Sequence, residues 1–304
     1  MTKAWWVIVI GAWLIPPGLL VLITSFQLKR EAATALEISL GRATNAIAPN
    51  QRNGWQRSVM ENTSPVVMLC RNSLELTKRA VESVLNQDVP VRLYLIDNCS
   101  SDGTDSWANE QGKDVLVFRF CPPLGVSAGW NFGLSEAFRR RDHAAMKSAF
   151  DSDHAFVINN DVILRSDCLR ELLADGGPFV TGVGVDTIEA IGGGFLKSVR
   201  PHPDFSCFMI RREVWEKIGM FDERMVLYAS DADYHVRMHQ AGIHAYTIGM
   251  PFYHYASGTL KTASAYEKQR IQEQADRDRA VFERKYGCQI GSPEYSAMFE
   301  TVKI

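Results

Sequence analysis

Residues His154–Leu164 read HAFVINNDVIL. Ala155–Ile158 is an apolar run of strand length, followed at once by Asn159, Asn160 and Asp161 and then by a second short apolar run. A strand that ends in a carboxylate is a place to hold a cation. Open α/β sheets bind ligands beyond the carboxyl ends of their strands, and a hard divalent ion shared with a diphosphate needs only one or two protein carboxylates.

Upstream of this stretch, strands alternate with helices. Val66–Cys70 is a short apolar strand, and Glu75–Asn86 places Leu76, Ala80, Val81, Val84 and Leu85 on one helical face, with Ser73 positioned to cap it. Val91–Ile96 is a second strand running into Asp97-Asn98, and Ser101–Thr104 forms a turn that opens another helix, where Asp102 suits a cap. Val115–Phe120 is a third strand. It leads into CPPLGVSAGWNFGL, a Gly-rich turn with a helix reaching about Arg140, and the polar segment Arg141–Asp153 reads as a surface insertion.

Downstream, Asp167–Ala174 reads as a helix and Phe179–Gly182 as a strand. Gly182–Pro203 is a long Gly-rich loop expected to face an acceptor. Phe205–Ile210 (strand), Glu213–Ile218 (helix), Ser230–Ala241 (helix ended by Gly242) and Ala245–Ile248 (strand) follow, and Thr262–Tyr286 reads as a surface helix. Such alternation predicts βαβ units, an α/β class and a mainly parallel, Rossmann-like sheet flanked by helices.

Composition narrows the function classes. With 304 residues, 46% of them hydrophobic, the chain has ample material for a buried core. A net charge of −2 with both signs interspersed gives no electrostatic footprint for a nucleic-acid backbone, so no nucleic-acid partner is expected. The six cysteines are scattered without a CxxC pair, which favours buried free thiols in a reducing compartment over a disulfide framework or zinc site.

No charge lies between Lys3 and Lys29, and Ala4–Phe26 is apolar enough to cross a bilayer core of about 20 residues. A signal peptide or a buried helix would account for the same run, and Pro16-Pro17-Gly18 would kink it. Lys29-Arg30 outweigh Lys3, which places the body of a membrane-anchored protein on the cytoplasmic side.

Five segments in order, VVMLCRNSLELTKRAVESVLNQ, LYLIDNCSSDGTDSW, PLGVSAGWNFGL, INNDV and GMFDERMVLYASDADYHVRMHQAG, resemble the family 2 glycosyltransferases of the GT-A fold, particularly their rhamnosyltransferase-like branch. The resemblance spans about Pro65–Gly258. The amino-terminal 60 residues and the tail lie outside it, and with the apolar run and linker composition it gives a hydrophobic anchor segment at 1–30, a linker at 31–64, a GT-A domain at 65–290 and a tail at 291–304. It implies an inverting transfer of a hexosyl or deoxyhexosyl group from a nucleoside-diphosphate sugar to a hydroxyl on a glycan, lipid-linked or protein acceptor, assisted by Mg²⁺ or Mn²⁺.

Residue by residue, the resemblance implies that Asp97 contacts the base or ribose of the donor and that Asp161 holds the bridging metal, with His254 completing the metal or diphosphate site. Asp161 is preceded by asparagines, so one carboxylate stands where a DxD segment has two. Arg71, Asn72, Asn131 and Asn160 are assigned to the nucleotide-sugar pocket. Asp231 is the general base, with Ser230 where the family usually has Glu, and Asp233 would position a partner such as Arg237. An i, i+4 pair, His235 and His239, has zinc-ligand spacing but no third ligand in view. A nucleotidyltransferase, or an inactive nucleotide-sugar-binding scaffold, is the competing reading; the missing Glu before Asp231 favours the second.

Overall fold

The computed structural model describes residues 63–139, 152–194, 196, 203–255 and 264–300, all within the second of the chain's two compact units, Asn53–Ile304. The expected anchor, nearly all of the linker, most of the 141–153 insertion and the distal end of the Gly-rich loop lie outside the described residues. The strands are β1 (Ser64–Cys70), β2 (Val91–Asp97), β3 (Val115–Arg119), β4 (His154–Ile158), β5 (Val162–Ile163), β6 (Phe179–Val185), β7 (Cys207–Arg211) and β8 (Ala245–His254). The helices are α1 (Leu74–Leu85), α2 (Thr104–Asn109), α3 (Val126–Ala137), α4 (Cys168–Ala174), α5 (Arg212–Ile218), α6 (Ser230–Gln240), α7 (Ala265–Tyr286) and α8 (Pro293–Ala297).

One eight-stranded sheet runs in the order β3-β2-β1-β4-β7-β6-β8-β5. The expectation of a mainly parallel sheet holds for β3-β2-β1-β4 and for β6-β8. It fails at β7, antiparallel to both β4 and β6, and at β5, antiparallel to β8. The period-2 pattern within a strand tells which residues are buried but carries nothing about strand direction, so the mixed topology was not readable from it.

Alternation along β1 feeds two core layers. Val66 and Met68 pack with Leu93, Phe156 and Leu169 on the α1 and α4 side, while Val67 packs with Ile96, Trp130, Val157 and Phe208 on the α3 side. Helix α3 can approach β1 closely because it turns glycine towards it: a Cβ at Gly133 would stand 2.2 Å from Val67 Cγ1 and 2.8 Å from Ile96 Cδ1. A third cluster, including Met225, Val236, Phe282 and Tyr295, joins α6 to α7 and α8.

Two local expectations are corrected. Ser73 occupies the N-cap position of α1 but makes no side-chain cap; the Leu74 N–H instead donates to Asp102 Oδ2 at 2.9 Å, while Asp102 Oδ1 also accepts from Thr104 Oγ1 at 2.6 Å. The carboxylate thus caps one helix and opens the next, and these bonds outweigh partial burial to hold it below the ordinary carboxylate range. Cys99 and Cys121 form a disulfide across 22 residues, since the parallel pairing of β2 with β3 brings the ends of both strands together. Cys70, Cys168, Cys207 and Cys288 are buried free thiols as expected.

Candidate active site

Strands β1, β2, β4, β6 and β8 share one direction, so their carboxyl ends deliver Arg71 and Asn72, Asp97, Asp161, Gly184 and His254 to one edge of the sheet. Strand β7 runs the other way, so its amino end brings Asp204–Ser206 to the same edge, where the Asn159 N–H donates to the Ser206 carbonyl at 2.9 Å.

At the β1/β2 end, Asp97 is fully buried. Its Oδ1 accepts from the Ser100 N–H at 3.1 Å; Oδ2 lies 3.3 Å from Arg119 Nη1 but accepts no hydrogen bond among the described residues. A buried, underused carboxylate oxygen at a strand end suits an N–H or hydroxyl donor from a ligand. Arg119 is shared with Asp105 and donates to the Ser100 carbonyl. Asn72 has a left-handed backbone and ties two loops: its N–H donates to Ser100 Oγ, and its Oδ1 accepts from the Ser101 N–H, each at 2.8 Å. Arg71 is exposed beside it.

At the β4 end, Asp161 Oδ1 stands 3.5 Å from His254 Nε2, with 15% and 23% of the two side chains exposed. Strand pairing makes this contact: Val162 lies opposite His254, and the Tyr255 N–H donates to the Asp161 carbonyl at 2.9 Å. One carboxylate oxygen and one imidazole nitrogen fit a Mg²⁺ or Mn²⁺ that takes its remaining ligands from a diphosphate and water. Among the described residues no group of three or more protein ligands of a metal occurs. Asn160 turns away, its Nδ2 donating to Thr77 Oγ1 on α1 at 3.0 Å, so its amide supports the strand end.

Asp231 lies at the start of α6, exposed in a cavity of about 500 Å³ that is also lined by Phe205, Tyr228, His235, Arg279, Glu283 and Tyr295. Its carboxyl sits in a concave wall, open to the cavity's solvent yet crowded by protein. That crowding pushes its pKa above the ordinary range, nearby Asp204 adds to the rise, and the N–H groups of Ala232 and Asp231 itself oppose it. Asp233, two residues on, is fully buried and does position partners: Arg237 Nε at 2.8 Å, Lys285 Nζ at 2.5 Å and the Tyr286 hydroxyl at 2.8 Å. His235 and His239 both pack against Phe299, at 4.3 and 5.3 Å between ring centroids, rather than forming a zinc site.

Asn131 is corrected. It is buried, its Nδ2 donates to the Phe221 carbonyl and to Glu223 Oε1, and its Oδ1 accepts from the Phe221 N–H, so every polar atom serves the segment before α6. The Gly-rich turn likewise approaches its own chain: a Cβ at Gly125 would stand 2.8 Å from the Val226 carbonyl oxygen, which accepts from the Val126 N–H at 2.6 Å. The expected acceptor-facing loop is partly taken up by structure, β6 running on to Val185 and a 3₁₀ turn covering Glu189–Gly193.

Sequence reading missed Asp204 and Asp278. Asp204 Oδ2 lies 3.1 Å from where a Gly184 Cβ would be, and His254 Cβ 3.7 Å from the same point; the Asp-Phe-Ser just ahead of β7 was the available signal. Asp278 is buried on α7, which sequence alone gave as a surface helix.

Residues 66–175 match the family model described as glycosyl transferase family 2. This supports a glycosyl transfer function. Among solved structures the chain resembles the mannosyltransferase PcManGT from Pyrobaculum calidifontis, in complex with GDP-Man and Mn²⁺, at 16% identity and a TM-score of 0.52, over 90% of this chain and 78% of that one. It also resembles S. aureus TarS at 13% identity and a TM-score of 0.50, over 78% of this chain and 47% of TarS. These likenesses support the GT-A fold. No curated protein matches the chain.

Proposed function

We propose that the chain is an inverting glycosyltransferase that moves a sugar from a nucleoside-diphosphate donor to an acceptor hydroxyl. The observation that carries this reading is the buried, underused Asp97 oxygen and the Asp161–His254 pair at one sheet edge, with Asp231 facing a cavity lined by Pro203 and Phe205, which lead into β7 at that edge. The nucleotide would lie over the β1/β2 ends, with the anomeric carbon between Asp161 and Asp231. Asp231 accepts the acceptor proton as the acceptor oxygen bonds to the anomeric carbon, and the bond from that carbon to the diphosphate oxygen breaks. A divalent ion held by Asp161 and His254 would neutralise charge on the departing diphosphate. PcManGT, whose complex holds GDP-Man and Mn²⁺, supports a nucleotide-sugar donor and such an ion here.

Calorimetric titration of donor nucleotide with and without Mn²⁺ tests the donor side. Asp161→Asn is nearly isosteric and should abolish the metal-dependent gain in affinity while leaving the fold intact. Equal gain in the variant would remove Asp161 from the site. The acceptor class, whether glycan, lipid-linked or protein, and the rhamnosyltransferase-like branch remain part of the proposal.

Membrane attachment through Ala4–Phe26, with a cytoplasmic domain, is likewise proposed. It rests on the apolar run and on Lys29-Arg30. No helix among the described residues is long and apolar enough to cross a membrane, and the Cys99–Cys121 bridge withdraws part of the support for a reducing compartment. The full chain should stay with membranes through an alkaline wash; release into the supernatant would refute the anchor.

A further inference from the structure

The segment Gly219–Ala229, which delivers Asp231, has little regular structure of its own. It is held from two sides. On one side α3 binds it through Asn131, and Ser127 Oγ donates to the Met225 carbonyl at 2.6 Å. On the other side, α7 offers a single fully buried carboxylate, Asp278. Asp278 accepts three consecutive backbone N–H groups: Val226 at 3.0 Å on Oδ1, and Leu227 at 2.7 Å and Tyr228 at 2.9 Å on Oδ2. Gln274 Nε2, one turn earlier on α7, donates to Oδ1 at 2.7 Å and fixes the rotamer.

This is an anion cradled by successive amides, with the loop as the cradle and the helix supplying the anion. The chain then turns through Ala229, whose φ of 67° is unusual for a residue with a Cβ, and enters α6 at Ser230-Asp231. A strained residue persists only when its surroundings over-determine it, and the three amide bonds to Asp278 end one residue before it. Further along α7, Lys285 and Tyr286 bind Asp233 in the first turn of α6. Helix α7 therefore grips the polypeptide on both sides of Asp231.

We propose that Asp278 is a positioning residue for the transfer reaction: by binding the amides of Val226–Tyr228 it sets where the Asp231 carboxylate stands in the cavity. This rests on the reading of Asp231 as the base. It goes beyond that reading because α7 lies outside residues 66–175, the part that matches the family model. Asp278 touches no reacting atom. Its effect passes through backbone, and a displacement of about 1 Å at a catalytic group costs on the order of 10²-fold in rate.

The test compares the full chain with Asp278→Asn, which puts an amide N–H against backbone donors, and with the milder Gln274→Ala, which only frees the carboxylate's rotamer. Gln272→Ala serves as a control that removes an exposed bond on α7, to Asp276, without touching the 226–228 amides or the Asp233 contacts. Two readouts are taken: amide hydrogen exchange of the 225–231 peptide, and release of nucleoside diphosphate from nucleotide-sugars per donor-binding site counted by calorimetry. Counting sites removes any loss from misfolded protein. Asp278→Asn should speed exchange in 225–231 but not in β1, and lower turnover per site about 10²-fold with donor affinity unchanged; Gln274→Ala should move both in the same direction by less. Unchanged exchange at 225–231 in both variants, turnover per site that survives faster exchange, or an equal loss in Gln272→Ala would overturn the proposal. A wild-type chain that binds donor but releases no nucleoside diphosphate with any acceptor would count against Asp231 as the base, and the exchange data would still decide whether Asp278 sets the segment.

Discussion

Asp231 and Asp233 carry the same charge two residues apart on α6 and do opposite things. Asp231 faces the cavity, whereas Asp233 is buried against Arg237, Lys285 and Tyr286. Helical spacing alone separates them, since residues two apart point to different faces. Asp233→Asn takes the buried anion from Arg237 and leaves Lys285 with Asp222 alone, and should destabilise the fold by on the order of 3 kcal/mol, read as a lower unfolding midpoint. Asp231, whose carboxyl is pushed up by crowding and by Asp204, must lose its proton to act as a base. Turnover should therefore rise with pH through a midpoint above the ordinary Asp value of about 3.9. The sign for stability is the reverse: a raised carboxyl favours the folded state at low pH and gives up that contribution as pH climbs through the raised value. An acid limb at or below the ordinary value would mean that Asp231 is not the titrating base.

At the scale of elements, most strands and helices were legible because their apolar periods are strong, as with Ala80, Val81 and Val84 on α1. Asn131 was misread because an amide beside a Gly-rich turn looks alike whether it meets a ligand or the chain itself; only the tertiary position of Phe221–Glu223 decides. Gly133 shows how closely α3 is fitted. Gly133→Ala would gain about 1 kcal/mol of helix propensity, but a Cβ 2.2 Å from Val67 Cγ1 forces overpacking that costs roughly 1–3 kcal/mol. The balance should be a modest loss of stability in chemical denaturation, and a stabilised variant would show that α3 is free to shift. Helix α7 was legible as a helix but not as part of the site, since its mixed charges look like a solvated face. Asp278 differs from its neighbours Asp276 and Glu283 only in where the fold puts it.

For the whole molecule, the order of motifs indicated the α/β class and the carboxyl-edge site, because βαβ units fix where strand ends lie. Strand direction at β5 and β7 and the bridge between Cys99 and Cys121 depend on long-range pairing that local pattern does not encode. Of the proposed site, Asp97 and Asp161 lie within the segment that matches the family model, while Asp231, His254 and α7 lie beyond it and rest on the geometry of this chain. Both parts meet in a single assay. Release of nucleoside diphosphate should be followed for the full chain and for Asp231→Asn, over a panel of UDP-, GDP- and dTDP-sugars with Mn²⁺ and candidate acceptors. At least one donor should be turned over by the wild type, and Asp231→Asn should lower that turnover by roughly 10²–10⁴-fold with donor affinity little changed. Release that persists at the wild-type rate in Asp231→Asn, or a wild type that turns over none of the panel, would contradict it.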